Sequence, residues 1–131
     1  STIMVTDRTG FLDGNNPMGI RKKGAGPYTR GMIIETALDL YSHEVLEYTF
    51  LDVIEHNYGT YYTGTIEHSG IVKFRCDGFV EYCYEYNGVR LQGPDDKWDI
   101  STGTGAAHHN ANALYWNPYD QAQVMTYLTN Y

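Results

Sequence analysis

The chain has 131 residues, 42% of them hydrophobic and 19% charged, a composition that fits one globular domain and excludes a disordered chain. Nine basic against sixteen acidic residues leave a formal charge of -7, which argues against a nucleic-acid partner, because such binding draws its affinity from neutralising phosphate charge. No apolar run approaches membrane-spanning length, and no membrane span is expected.

Residues 1–28 carry five glycines (Gly10, Gly14, Gly19, Gly24 and Gly26) with Pro17 and Pro27, and show little periodicity beyond Ile3-Met4-Val5. They read as a loop-rich N-terminal arm ahead of a core over 30–131, all within a single domain, 1–131. The chain opens at Ser1 with no initiator methionine and no apolar signal segment, as a processed chain would, which is compatible with export. Arg21-Lys22-Lys23 is too short a basic run to be more than a solvated loop. From Arg30 onward Met32, Ile33, Ala37, Leu40, Tyr41, Val45, Tyr48, Leu51 and Ile54 fall close to one helical face. The spacing predicts a long helix, interrupted near Ser42 and ended by Asn57-Tyr58-Gly59. Ser42 and Thr49 are both suitable N-caps, which leaves a two-helix alternative open.

Residues 60–73 are β-branched, aromatic and glycine-rich, so short strands or an extended loop follow. Then Cys76, Phe79, Val80, Cys83 and Tyr84 form an apolar stripe at helical spacing that stops at Asn87-Gly88, predicting a helix over 76–86. Residues 87–113 are rich in Gly, Asp, Ser, Thr and Asn and read as a long functional loop. Asn117-Pro118-Tyr119-Asp120 makes a strong helix start, predicting a helix over 118–129.

Cys76 stands on the first turn of its helix, where unpaired backbone N–H groups and the positive end of the dipole stabilise a thiolate. Cys83 lies two turns further along the apolar stripe and is assigned to the core. Seven residues of helix separate the two sulfurs' residues by about 10 Å, beyond the ~7 Å reach of a disulfide, so both are expected as free thiols.

The order of a long helix, Tyr61-Tyr62-Thr63-Gly64, then Cys76-Asp77-Gly78-Phe79-Val80 at a helix start resembles the NlpC-type cell-wall hydrolases, a papain-like cysteine peptidase family. Their signature runs P-Y-x-x-G-G and, after a gap, D-C-S-G-F-V opening a helix. Arg75 stands where the family has Asp and Asp77 where it has Ser. The family's G-D-L-V-F-F strand and its H-V-G-I strand with the catalytic histidine have no counterpart after the helix. The resemblance implies an α+β fold, a helix-rich papain-like single domain with a small antiparallel sheet. It also implies hydrolysis of peptide amide bonds, in peptidoglycan stem peptides, through a Cys76 thioester, in a secreted or cell-envelope bacterial protein.

A thiol of this kind needs a histidine within hydrogen-bond reach. His108 and His109 lie downstream of the cysteine, as the base does in the family, and His109 is placed slightly ahead; His68, eight residues upstream, is third. The Cys76 backbone N–H is the expected oxyanion donor, with a second from 61–65 or a glutamine. Tyr61, Tyr62, Asp77 and Asn110 are the residues expected to line a substrate groove, and thirteen tyrosines in all fit a wet, aromatic cleft. The spacing of Cys76, Cys83, His68, His108 and His109 matches no zinc ribbon or knuckle, and Asp7 and Asp13 do not reproduce a calcium loop, so neither a metal nor a cofactor is expected. The rival expectation is a non-catalytic relative whose tyrosine-rich cleft holds peptide or glycan without cleaving it; a transferase or toxin using the same thiol is a third.

Overall fold

The computed structural model of the chain describes residues 20–22, 24–43 and 46–129. Most of the expected N-terminal arm, with Asp7 and Asp13, lies outside the described residues. In chain order the elements are strand β1 (Ile20–Lys22), helix α1 (Pro27–Ser42), strands β2 (Glu47–Tyr48), β3 (Ile54–His56) and β4 (Ile71–Phe74), helices α2 (Cys76–Glu85), α3 (Gly103–Ala111) and α4 (Pro118–Gln123), and strand β5 (Thr126–Thr129). Single 3-10 turns stand at His68–Gly70 and Asp96–Trp98.

This is a mixed helix-and-sheet chain, as expected for α+β, but the larger sheet is not antiparallel. Its order is β2-β4-β3, with central β4 parallel to β2 and antiparallel to β3. A second, two-stranded sheet pairs β1 with β5, Arg21 opposite Tyr127 and Lys22 opposite Thr126. Arg21 and Lys22 therefore belong to a strand and not to a loop.

Pro27 occupies the first turn of α1, where its missing N–H costs nothing, and Ile33, Thr36 and Leu40 form the buried stripe. The expected continuation of this helix to residue 57 does not form. Tyr48, Leu51 and Ile54 keep helical spacing, yet Leu51 is 84% exposed while Ile54 is fully buried, so they do not share a face. The aromatic and β-branched run Tyr48-Thr49-Phe50 is instead drawn onto β4, with the Thr49 N–H donating to the Phe74 carbonyl at 3.0 Å.

α2 forms where expected. It starts two residues after the end of β4, with Arg75 between them as N-cap, and is followed by Gly88 at φ +82°. By contrast, the segment expected as a loop over 87–113 holds α3, whose N-cap Thr102 accepts a hydrogen bond from the Gly105 N–H at 3.0 Å. Gly103 and Gly105 read as loop residues in the sequence, but they let this helix touch its neighbours: a Cβ would fall 1.9 Å from the Tyr62 carbonyl oxygen and 1.6 Å from that of Asp99. α4 opens with a full capping box between Asn117 and Asp120 and ends at Gln123, short of the expected 129, because Thr126–Thr129 joins β1 as strand β5.

The core between the sheet and the helices contains Leu40, Ile54, Ile66, Phe74, Tyr82 and Ile100, all buried. Among the described residues no helix is long and apolar enough to cross a membrane.

Candidate functional site

The parallel register of β2 on β4 sets Tyr48 beside Phe74, two residues before Cys76. That pairing brings the Tyr48 hydroxyl to the thiol, where it donates to the Cys76 sulfur at 4.0 Å. Burial and the neighbouring Cys76 hold the Tyr48 phenol above its ordinary range, so it stays protonated and acts as a donor. Cys76 is exposed at the first position of a ten-residue helix, and Cys83 is buried on the same helix; both are free thiols. Burial pushes the Cys83 thiol up to about 12.

The Asp77 carboxylate, one residue on, points inward. Arg75 holds it bidentately, Nε to Oδ1 at 2.6 Å and a terminal nitrogen to Oδ2 at 2.8 Å, and also donates to the carbonyls of Ala113 and Trp116. At 2% exposure Asp77 cannot line a substrate groove, and its charge is compensated by Arg75, not aimed at the thiol. The Gln121 amide, a glutamine near this helix start, donates to the Asp77 carbonyl at 2.7 Å and so is already engaged.

The expected base is not at the sulfur. His109 is 1% exposed, with Nε2 2.9 Å from Glu81 Oε1. His108 packs edgewise on Trp98, ring centroids 4.2 Å apart. His68 Nδ1 is bonded to Asp39, near which His43 also lies, and His56 Nδ1 accepts from the Tyr58 N–H at 3.1 Å. Among the described residues no histidine nitrogen is hydrogen-bonded to the Cys76 sulfur.

Of the expected groove residues, Tyr61 is 94% exposed, while Tyr62 stacks on Tyr58 with centroids 4.4 Å apart and donates its hydroxyl to the Thr65 carbonyl. Asn110 clamps β3: its Oδ1 accepts from the Val53 N–H at 2.8 Å and the Ile54 N–H at 3.2 Å, and its Nδ2 donates to the Ile54 carbonyl at 2.8 Å. Asn110 also lines a cleft of about 280 Å³ with Asp52, Glu55, His56, Tyr58 and Thr60, but Cys76 is not part of that cleft.

Sequence reading missed a buried polar cluster on the inner face of α2. Glu81 and Glu85, one helical turn apart, meet His109 of α3, and one ligand atom from each lies within 4.8 Å of the others. Desolvation is the main cause that raises both carboxyls, Glu81 to about 8 and Glu85 to about 9, and their mutual repulsion adds to it at Glu85. Burial holds His109 below its ordinary value and therefore neutral. Glu85 also accepts from the Ile100 N–H at 2.8 Å and the Leu91 N–H at 3.1 Å, which ties the 91–100 segment to α2. The signal was present as two acidic residues at i, i+4 among apolar positions, a pattern that an exposed helix face also shows.

Comparison with known proteins adds nothing to this geometry: no family model, no curated protein and no solved structure matches the chain.

Proposed function

We propose that this chain is a cysteine hydrolase that cleaves peptide amide bonds, with Cys76 as its nucleophile and stem peptides of the bacterial cell wall as the substrate class implied by the NlpC-type resemblance. The observation that carries this reading is the setting of one thiol: exposed, on the first turn of a helix fed directly by a central strand, and faced by a phenol donor. In the reaction the thiolate attacks the amide carbonyl carbon and forms a C–S bond. The C–N bond then breaks as the amine leaves with a proton, and water cleaves the thioester to give the acid and restore the thiol. In this reading the backbone N–H of Cys76, at the helix start, is the donor offered to the developing oxyanion.

A second reading is favoured by one observation, the lack of a histidine hydrogen bond at the sulfur. In that reading the chain holds peptide or glycan on its tyrosine-bearing surface without cleaving it. One experiment separates them: incubation with muropeptides, followed by mass spectrometry of the products, for the wild-type chain and Cys76→Ala. Cleavage that falls at least a hundredfold in Cys76→Ala supports the hydrolase. Retention of muropeptides by both proteins, with no product from either, replaces it with the binding module.

A further inference from the structure

We propose that Glu81, Glu85 and His109 form a site for one first-row divalent metal ion, buried between α2 and α3. This site is separate from the Cys76 thiol and does not depend on the hydrolase reading. The three residues are 0%, 5% and 1% exposed, and each offers one ligand atom within 4.8 Å of the others.

Proximity of acidic groups alone would not make a site; the atoms left over do. His109 Nε2 and Glu81 Oε1 lie 2.9 Å apart, yet neither atom makes a hydrogen bond. A buried nitrogen and oxygen at that distance that do not point along a shared N–H axis have the relation of two cis ligands: donors about 2.1 Å from one ion at right angles sit about 3 Å apart. The Trp98 backbone hydrogen-bonds the His109 ring and raises it, and Nε2 is the ring atom left without a partner. An imidazole fixed in this way through one nitrogen presents the other as a lone pair, the usual arrangement of a metal-ligating histidine.

Glu85 completes the set. Each of its oxygens accepts one backbone N–H, which orients the carboxyl, and a side-chain hydrogen bond joins it to Glu81, the contact that an ion between the two would replace. It also lines a cavity of about 360 Å³ with Gly88, Arg90, Asp96 and Asp99, which reaches this carboxyl but is not lined by Glu81 or His109. Two carboxylates and one neutral imidazole suit Zn²⁺ or Mn²⁺ better than Ca²⁺, which prefers oxygen throughout. Arg90 Nε, 3.8 Å from Glu85 Oε2, is the nearby opposing charge; Asp77, the next carboxylate along the same face, is already paired with Arg75. An ion here would pin α2, which carries Cys76 at its first position, to α3.

The test uses the full chain freed of metal with a chelator and titrated with Zn²⁺ and, separately, Mn²⁺ by calorimetry, with thermal melts alongside. One ion per chain with a Kd below about 10 μM and a raised melting temperature supports the site, provided Glu81→Gln and His109→Gln each weaken binding at least tenfold. Asp39→Asn, which disrupts the group of Asp39, His43 and His68, should leave the affinity within twofold of wild type. If His109→Gln does not fold, Glu81→Gln, which keeps the shape and removes a buried carboxyl, decides alone. Absence of saturable binding, wild-type affinity in Glu81→Gln, or loss of binding in Asp39→Asn overturns the proposal.

Discussion

The two cysteines differ by environment alone, and that difference has a direct chemical consequence. Cys76 is exposed, whereas Cys83 is enclosed and its thiol is pushed up to about 12, so at pH 8 only about one molecule in ten thousand carries a Cys83 thiolate. Iodoacetamide at pH 8 should therefore add one carbamidomethyl group to the native chain, at Cys76, and two after denaturation, as read by peptide mass spectrometry. Labelling of Cys83 at a comparable rate in the native state would show that α2 does not pack as described. The placement of Cys76 was legible because it depends on local signals: a stripe at helical spacing and a clear stop. The Tyr48 contact was not legible, since it depends on a parallel strand pairing between residues 26 apart in sequence, which propensity does not encode. The same limit hid the His109 environment, where a residue read as a loop base turned out to face a helix whose acidic pair looked like an exposed surface.

At the scale of elements, glycine shows how packing overrides propensity. Gly31 in α1 is exposed, and a methyl group added there would meet nothing within 4 Å, so Gly31→Ala should stabilise the chain by about 1 kcal/mol through helix propensity. Gly78 in α2 has the same intrinsic preference, but its Cβ would stand 2.1 Å from the Val53 carbonyl oxygen. Gly78→Ala should therefore destabilise by roughly 2–3 kcal/mol, as overpacking against backbone does. Urea unfolding of the two variants should move the midpoint in opposite directions, and a shift of the same sign for both would refute the close approach of α2 to the Val53 carbonyl. This contrast also explains why α2 and α4 were legible and α3 was not. α2 has an apolar stripe and α4 a capping box, whereas α3 is built from Gly103-Thr104-Gly105 and polar residues whose helical state is set by what they touch. The false extension of α1 has the opposite cause: helical spacing continued through 48, 51 and 54, where pairing with β4 was the stronger force.

At the scale of the whole molecule, the Glu81 and Glu85 pair makes stability depend on pH in a direction unusual for carboxylates. Most acidic groups in folded proteins are held below their unfolded values and stabilise the fold more as pH rises; Asp39, lowered mainly by its hydrogen bond to His68, is of that kind but half-exposed, so its weight is small. Glu81 and Glu85 are raised from 4.5 to about 8 and about 9, so the folded chain holds protons that the unfolded chain has released. Their contribution is fully present below about pH 4.5 and is lost as pH rises through the folded values. His109, depressed by burial, opposes this only below the ordinary histidine value of 6.5, where the unfolded chain takes up a proton that the folded chain does not. Between pH 6.5 and 9 the carboxyl pair therefore dominates. In chelator, the unfolding free energy should fall across that window by about 1.4 kcal/mol per pH unit for each proton retained only by the folded chain. Glu81→Gln, which removes one of the two groups and the repulsion on the other, should flatten the slope. Urea denaturation at pH 6.5, 7.5 and 8.5 measures it directly: a wild-type profile that is flat or rises would mean that both carboxylates are already ionised in the fold, and that the inner face of α2 is wetter than its burial indicates.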